Sequence, residues 1–219
     1  MIRADGLRLE GEIVAPPRAA GLVLFAHGSG SSRHSPRNQA VAARIRQAGL
    51  GTLLFDLLSR EEETVDAMTG HLRFDVGLLA RRLVAATAWV RESADMASLR
   101  VGYFGASTGA AAALIAAAEV PGAVGAVVSR GGRPDLAGEA LSRVKAPTLL
   151  IVGGRDEGVI ELNEEAYERL RCEKSLQVVP GATHLFGEPG ALEAVAALAA
   201  GWFERHLSKE KAGSPDALP

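Results

Sequence analysis

The string Gly105-Ala-Ser107-Thr-Gly109 is the first candidate for chemistry, because it places a serine between two glycines. β-prone residues at 101–104 precede it and an alanine-rich run follows, so we expect a sharp turn from a strand into a helix. Such a turn strains the backbone of its central residue and lifts that side chain clear of the sheet. The helix start adds partial positive charge beside Ser107, which favours a developing oxyanion. A glycine-rich turn before a tightly packed helix would give the same string.

A serine hydroxyl becomes a useful nucleophile only when a base takes its proton, and the chain has five histidines. His184 lies in a loop just past the last predicted strand, at the carboxyl edge of the sheet where Ser107 is expected to point. His206 lies near the end of the last helix, where a charged imidazole suits the helix dipole, and His71 lies in an acidic loop. We therefore assign the base to His184, which predicts that activity falls as acid protonates the ring.

The histidine needs an acid that fixes its tautomer and stabilises the imidazolium. Asp156 follows the predicted strand 148–152 through Gly-Gly-Arg, again at the carboxyl edge. Glu157 beside it and Asp135 after the preceding strand are its rivals, and a helix cap or surface turn is the alternative role for Asp156. We assign the acid to Asp156.

The segment His27-Gly-Ser29-Gly30 directly follows the first central strand and is the candidate for an oxyanion hole. We assign the two N–H donors to the backbones of Ser29 and of Thr108, the residue after the serine. His27 is expected to orient this loop rather than to exchange protons. A phosphate-binding loop is the alternative, but the lysine that follows glycine in that motif is missing.

The elements that must position these residues alternate between strand and helix, which predicts a mostly parallel central sheet with helices on both faces. An N-terminal antiparallel hairpin turning at Asp5-Gly6 is expected at the sheet edge. Residues 57–72, which include three consecutive glutamates, are expected to form a loop. The further strands are predicted at 22–26, 51–56, 101–105, 123–129, 148–152 and 176–179, and the helices at 36–48, 75–94, 110–118, 135–143, 161–171 and 191–206.

Composition limits the class of protein. The chain has 219 residues and a formal charge of −2, so we expect one domain over residues 1–207, a frayed tail over 208–219 and no nucleic-acid partner. A single cysteine, Cys172, excludes an internal disulfide and a cysteine-rich zinc module. We expect a cytoplasmic protein that needs neither a metal nor an organic cofactor and that does not bind a membrane, because no apolar run is long enough to span one.

Four segments together resemble the α/β-hydrolase superfamily, and within it the small, lidless, dienelactone-hydrolase-like group. They are HGSG at 27–30, GASTG at 105–109, GGRD at 153–156 and GATH at 181–184. The resemblance implies an α/β-hydrolase fold without a large cap domain, and a triad in the chain order Ser107, Asp156, His184. Dienelactone hydrolase proper uses a cysteine nucleophile, whereas position 107 is serine. Activity on dienelactone therefore does not carry over.

The predicted function is that of a serine hydrolase that cleaves small carboxylic esters through an acyl-enzyme. The same machinery could serve a thioesterase, a peptidase or an acyltransferase, and a non-catalytic binding module with a silent triad is the alternative from another class. Arg130, at the carboxyl edge, could bind an anionic group of the substrate or pair with Asp135 instead. The sequence assigns no role to Arg33 or His34 and no oligomeric state.

Overall fold

A seven-stranded sheet forms the centre of the computed structural model, which describes residues 1–4 and 6–208. The strands of the molecule are β1 (Ile2–Ala4), β2 (Leu7–Leu9), β3 (Gly11–Val14), β4 (Gly21–Ala26), β5 (Gly51–Phe55), β6 (Arg100–Ala106), β7 (Val124–Arg130), β8 (Thr148–Gly153) and β9 (Lys174–Val179). The helices are α1 (Pro36–Gln47), α2 (Arg60–Thr69), α3 (Val76–Glu92), α4 (Thr108–Glu119), α5 (Glu157–Arg169) and α6 (Ala191–Leu207), with 3-10 segments at Leu72–Phe74 and Pro134–Arg143.

The order of the strands in this sheet is β3-β5-β4-β6-β7-β8-β9, and every pair is parallel except β3 with β5. Ala26 is level with Gly105, Gly105 with Ser129, and Gly153 with Val179. The carboxyl ends of the parallel strands therefore lie along one edge of the sheet, where ligands bind in folds of this kind. This confirms the predicted fold class.

Two apolar layers cover the sheet, because its central strands are apolar on both faces. One layer joins Leu24 and Tyr103 of the sheet to Leu83 of α3 and to the alanines of α4. The other layer joins Phe25 to side chains of α1 and to Phe203 of α6. None of the helices in the described part of the chain combines the length and the apolar composition needed to cross a membrane.

The N-terminal hairpin exists but lies elsewhere than the sequence indicated. β1 and β2 pair with each other in a separate two-stranded sheet, and β3 takes the edge of the central one. The reason is packing: Ile2 and Leu9 belong to the apolar layer of α3, and the Arg82 guanidinium on α3 donates to the Ala4 carbonyl at 3.0 Å. Asp5, half of the predicted turn, is outside the described residues.

The prediction of a loop over residues 57–72 was wrong, because α2 lies there. Ser59 caps this helix: its hydroxyl accepts from the Glu62 N–H at 3.2 Å, and the Glu62 carboxylate accepts from the Ser59 N–H at 2.8 Å. Gly70, with φ 68°, ends the helix. Elsewhere α5 begins four residues earlier than predicted, the predicted helix at 135–143 is a 3-10 segment, and residues 209–219 of the predicted tail are outside the described part.

Candidate active site

Ser107 lies in the turn between β6 and α4 with φ 50° and ψ −122°, angles that residues other than glycine rarely adopt. The Ser107 N–H donates to the Arg130 carbonyl at 3.3 Å, and the Arg133 N–H donates to the Ser107 carbonyl at 3.1 Å. The turn is thus held by hydrogen bonds to the end of β7 and to the residues that follow it. The strain and the position are those expected of a serine presented above a sheet.

The two glycines around Ser107 are required by close contacts of the main chain. A Cβ at Gly105 would lie 2.4 Å from the Cα of Ala110, and a Cβ at Gly109 would lie 2.2 Å from the carbonyl oxygen of Ala26. Neither space can hold a methyl group. The start of α4 is therefore packed directly against the ends of β4 and β6, which fixes the position of the serine.

His184 and Asp156 meet across two loops. The Nδ1 atom of His184 lies 2.6 Å from the Oδ2 atom of Asp156. Because a carboxylate only accepts, Nδ1 carries the proton, and Nε2 of the neutral ring is left free to accept one. Asp156 stands at the N-cap of α5 without making a capping hydrogen bond, so its carboxylate is available to the histidine. Its rival Glu157 is exposed in the first turn of α5.

The loops that carry this pair rest on each other backbone to backbone. The Arg155 N–H donates to the Ala182 carbonyl at 2.9 Å, and the Gly154 N–H donates to the Val179 carbonyl at 2.9 Å. A Cβ at Gly153 would lie 2.5 Å from the Ala182 carbonyl oxygen and 2.7 Å from that of Thr183. The glycine of the GGRD segment thus lets the His184 loop approach.

A cavity of about 250 Å³ brings the predicted residues together. Ser107 and His184 both line it, and Asp156 lies behind His184. The other lining residues come from the loop after β4, from the start of α1, from the ends of β6 and β7 and from the loop after β9: Gly28, Ser29, Ser31, Ser35, Arg37, Ala106, Arg130, Gly131 and Leu185. The cavity is therefore lined by serine residues, an imidazole and two guanidinium groups.

The predicted oxyanion loop lies against the serine, since a Cβ at Gly28 would be 3.1 Å from the Cβ of Ser107. The Ser29 N–H, however, donates to the side-chain hydroxyl of Thr108 at 3.0 Å. The amide that the sequence nominated thus already has an acceptor. The N–H of Thr108 is at the first residue of α4, where helix N–H groups have no partner within the helix.

His27 holds this loop to the end of β5. Its Nε2 accepts from the Leu57 N–H at 3.1 Å, and its Nδ1 lies 3.0 Å from the Gly28 carbonyl, so the proton is on Nδ1. Burial lowers the pKa of His27, which keeps the ring neutral. Arg33 joins the same loop to the end of β5 a second time, because its guanidinium pairs with Asp56. The sequence had assigned Arg33 no role.

Arg130 is not paired with Asp135, which was the alternative to substrate binding. Asp135 accepts two hydrogen bonds from Arg133, at 2.9 and 2.8 Å. Arg37 is a lining residue that the sequence analysis missed. An arginine in the first turn of a helix usually lies in solvent, and no motif marks this one. Within residues 1–4 and 6–208, no cluster of histidine, cysteine and acidic side chains is arranged to hold a metal ion.

A mostly parallel sheet between two helical layers, with a serine in a strand-to-helix turn, defines an α/β hydrolase. The chain belongs to the dienelactone hydrolase family, whose model matches residues 10–209. It is 61% identical to a dienelactone hydrolase from Anabaena variabilis of known structure, with a TM-score of 0.93 over 94% of this chain and 95% of that one. Family membership supports hydrolase activity.

Two other relatives extend the comparison. The solved structure of Est1E from Butyrivibrio proteoclasticus is 16% identical, with a TM-score of 0.79 over 95% of this chain and 98% of that one, a likeness of fold alone. A Mycobacterium tuberculosis protein named "Putative phosphoribosyl transferase" is 59% identical over 204 residues. These residues are 93% of this chain but 45% of the mycobacterial protein, so the chain spans less than half of that relative.

Proposed function

We propose that this protein is a serine hydrolase that cleaves small carboxylic esters. Ser107 is the nucleophile, His184 is the base, and Asp156 is the carboxylate that orients His184. The observation that supports this most is the His184–Asp156 hydrogen bond of 2.6 Å at the cavity that Ser107 also lines. Three loops that are distant in the sequence supply these side chains, each at the carboxyl end of a different strand. Membership of a hydrolase family supports the same assignment.

The reaction has two steps. Ser107 Oγ attacks the ester carbonyl while His184 Nε2 takes its proton, and the protonated ring then gives that proton to the departing alcohol. The acyl group is left on Ser107. His184 next takes a proton from water, which attacks the acyl carbon. The bond from that carbon to Ser107 Oγ then breaks, the ring returns the proton to Oγ, and the acid is released. Asp156 holds Nδ1–H and stabilises the imidazolium in both steps.

The oxyanion of each step needs two N–H donors. The Thr108 N–H at the start of α4 is the proposed first donor. Ser29 can supply the second only if its N–H is shared with, or released by, the Thr108 hydroxyl that now accepts it. The side chain of Thr108 therefore belongs to the proposed oxyanion site as well as its backbone.

The shape of the site supports the proposed substrate class. Between β7 and β8 the chain forms only the 3-10 segment Pro134–Arg143, so no cap domain is inserted at that point. An open cavity favours small or accessible acyl groups. Lactones are cyclic esters and would be opened by the same steps, which agrees with the name of the Anabaena relative. A thioesterase, a peptidase or an acyltransferase would share the first step and differ in the leaving group or the acceptor.

Covalent labelling tests the nucleophile. A fluorophosphonate probe is expected to label the wild type and to spare Ser107→Ala, and 4-nitrophenyl butyrate hydrolysis should fall by about 10⁴-fold or more in that variant. Ser142→Ala is the matched control, because Ser142 is exposed and its hydroxyl donates only to the Glu139 carbonyl at 3.1 Å. Labelling or turnover that survives in Ser107→Ala contradicts the proposal, and an unlabelled wild type favours the non-catalytic binding module.

A further inference from the structure

Arg130 is a buried cation that has no counter-ion within the described part of the chain. It ends β7 with 7% of its surface exposed, and its Nε and Nη1 atoms have no acceptor among the described residues. Its guanidinium carbon lies 5.9 Å from the centre of the Phe186 ring, a weak compensation for lost water. Burial, together with the nearby charge of Arg37, lowers the pKa of Arg130 to about 10. A buried charge left uncompensated is costly, so such a residue is often kept for a ligand.

Arg37 supplies a second cation to the same cavity. It lies in the first turn of α1, half-buried, and its covered Nε atom also has no acceptor in the described part of the chain. Arg37 is close enough to Arg130 to act on its pKa. Both side chains line the cavity that contains Ser107 and His184.

No acidic residue lines this cavity within the described residues. The carboxylates of the neighbouring segments have other cations: Asp56 pairs with Arg33, Asp66 with Arg73, and Asp135 with Arg133. Glu63 lines the adjoining cavity, which Arg37 also borders, but Glu63 is exposed to solvent and pairs with neither arginine among the described residues. The two guanidinium groups therefore face the serine with a net positive charge.

We propose that Arg37 and Arg130 form a binding subsite for an anionic group, a carboxylate or a phosphate, carried by the substrate that is cleaved at Ser107. The substrate class rests on the proposed function, whereas the anion site itself rests only on the two arginines. Guanidinium groups bind planar or tetrahedral oxyanions through paired N–H donors, and burial strengthens such bonds. A cavity of about 250 Å³ limits the substrate to a short acyl chain between the anion and the ester.

Anion binding can be measured without turnover. Calorimetry on Ser107→Ala, titrated with glutarate and separately with inorganic phosphate, is expected to show binding of at least one. Adding Arg130→Gln or Arg37→Gln should weaken it about tenfold or more, as removal of a charge-assisted contact does. Arg44→Gln is the matched control: Arg44 is exposed on α1 and has the same charge, so it should leave the affinity unchanged. The tighter of the two ligands identifies the anion.

Hydrolysis tests the link to the substrate. With background subtracted, 4-nitrophenyl glutarate, whose acyl chain ends in a carboxylate, is compared with the neutral 4-nitrophenyl pentanoate. We expect either arginine variant to lower kcat/KM for the anionic ester about tenfold to a hundredfold and to change that for the neutral ester little. Arg37→Gln keeps this test valid if Arg130→Gln fails to fold. An equal loss for both esters would overturn the anion subsite.

The two proposals fail in different ways. Neutral esters hydrolysed by the wild type, with no binding of either anion to Ser107→Ala, would overturn the subsite and leave the serine hydrolase. Anion binding that depends on both arginines, in a protein that neither reacts with the fluorophosphonate nor hydrolyses any ester, would overturn the hydrolase and leave the anion site.

Discussion

At the scale of single residues, Asp156 could either cap α5 or hold the His184 ring, and its contacts favour the second role. The residue starts α5 but makes no capping hydrogen bond, whereas its Oδ2 lies 2.6 Å from His184 Nδ1. Asp156→Asn should therefore lower kcat by about 10² to 10⁴-fold, because an amide can hold the wrong tautomer of the ring. The free energy of unfolding should change by less than about 1 kcal/mol, since no cap is lost.

Ester hydrolysis and urea unfolding measure the two effects of Asp156→Asn. Asp135→Asn is the control, because Asp135 also follows a strand at this edge but binds Arg133. It should retain activity. If Asp156→Asn unfolds the protein or leaves kcat unchanged, Asp156 has a structural role instead.

The candidate triad was predictable because each member lies in a short motif directly after a strand of the predicted sheet. The partners of the charged residues were not. Asp135 binds Arg133 and not Arg130, which is left without a carboxylate partner among the residues that the structure describes. This choice of partner depends on side-chain geometry within one loop. That Arg37 reaches the same cavity depends on how α1 is seated on the sheet, which spacing along the chain does not encode.

At the scale of elements, the position of His184 depends on the contact between the loop after β8 and the loop after β9. Gly153→Ala would put a methyl group 2.5 Å from the Ala182 carbonyl oxygen and push the His184 loop away. We expect kcat to fall about tenfold to a hundredfold, and the free energy of unfolding to fall by about 1 to 3 kcal/mol. The matched control is Gly201→Ala in α6, where nothing lies within 4 Å of the new Cβ. That change should stabilise the helix by about 0.5 to 1 kcal/mol and leave kcat unchanged.

The elements themselves were mostly predictable, because apolar runs of strand length alternate with helical periodicity. α2 was the failure. Its sequence, with three consecutive glutamates, is polar enough to suggest a loop, and the capping pair Ser59 and Glu62 at its start was the overlooked indication of a helix. The position of the hairpin failed for a different reason, since pairing in a separate sheet depends on burial against α3.

At the scale of the whole molecule, stability depends on pH through groups whose pKa differs between the folded and unfolded chain. Burial lowers the pKa of His27 and of His206 from the ordinary 6.5. The hydrogen bond from the Thr183 hydroxyl is the main cause of the lowered pKa of Glu188, whose ordinary value is 4.5. The two imidazoles therefore make the free energy of unfolding fall as the pH is lowered from about 7 to about 5. The stabilisation that comes from Glu188 is lost only in more acidic solution, below its ordinary pKa.

His27 is expected to make the folded state weaker as the pH falls below about 6.5, because the unfolded chain then binds a proton that the buried ring resists. Its stabilising effect is complete above that pH and declines towards the lower pKa of the folded state.

His27→Gln keeps an acceptor for the Leu57 N–H but cannot titrate. Urea unfolding at pH 5, 6 and 7 should therefore show a shallower slope in this variant, by at most about 1.4 kcal/mol per pH unit. His71→Gln, an exposed histidine, should keep the wild-type slope. Equal slopes in all three proteins would mean that His27 is not kept neutral by burial.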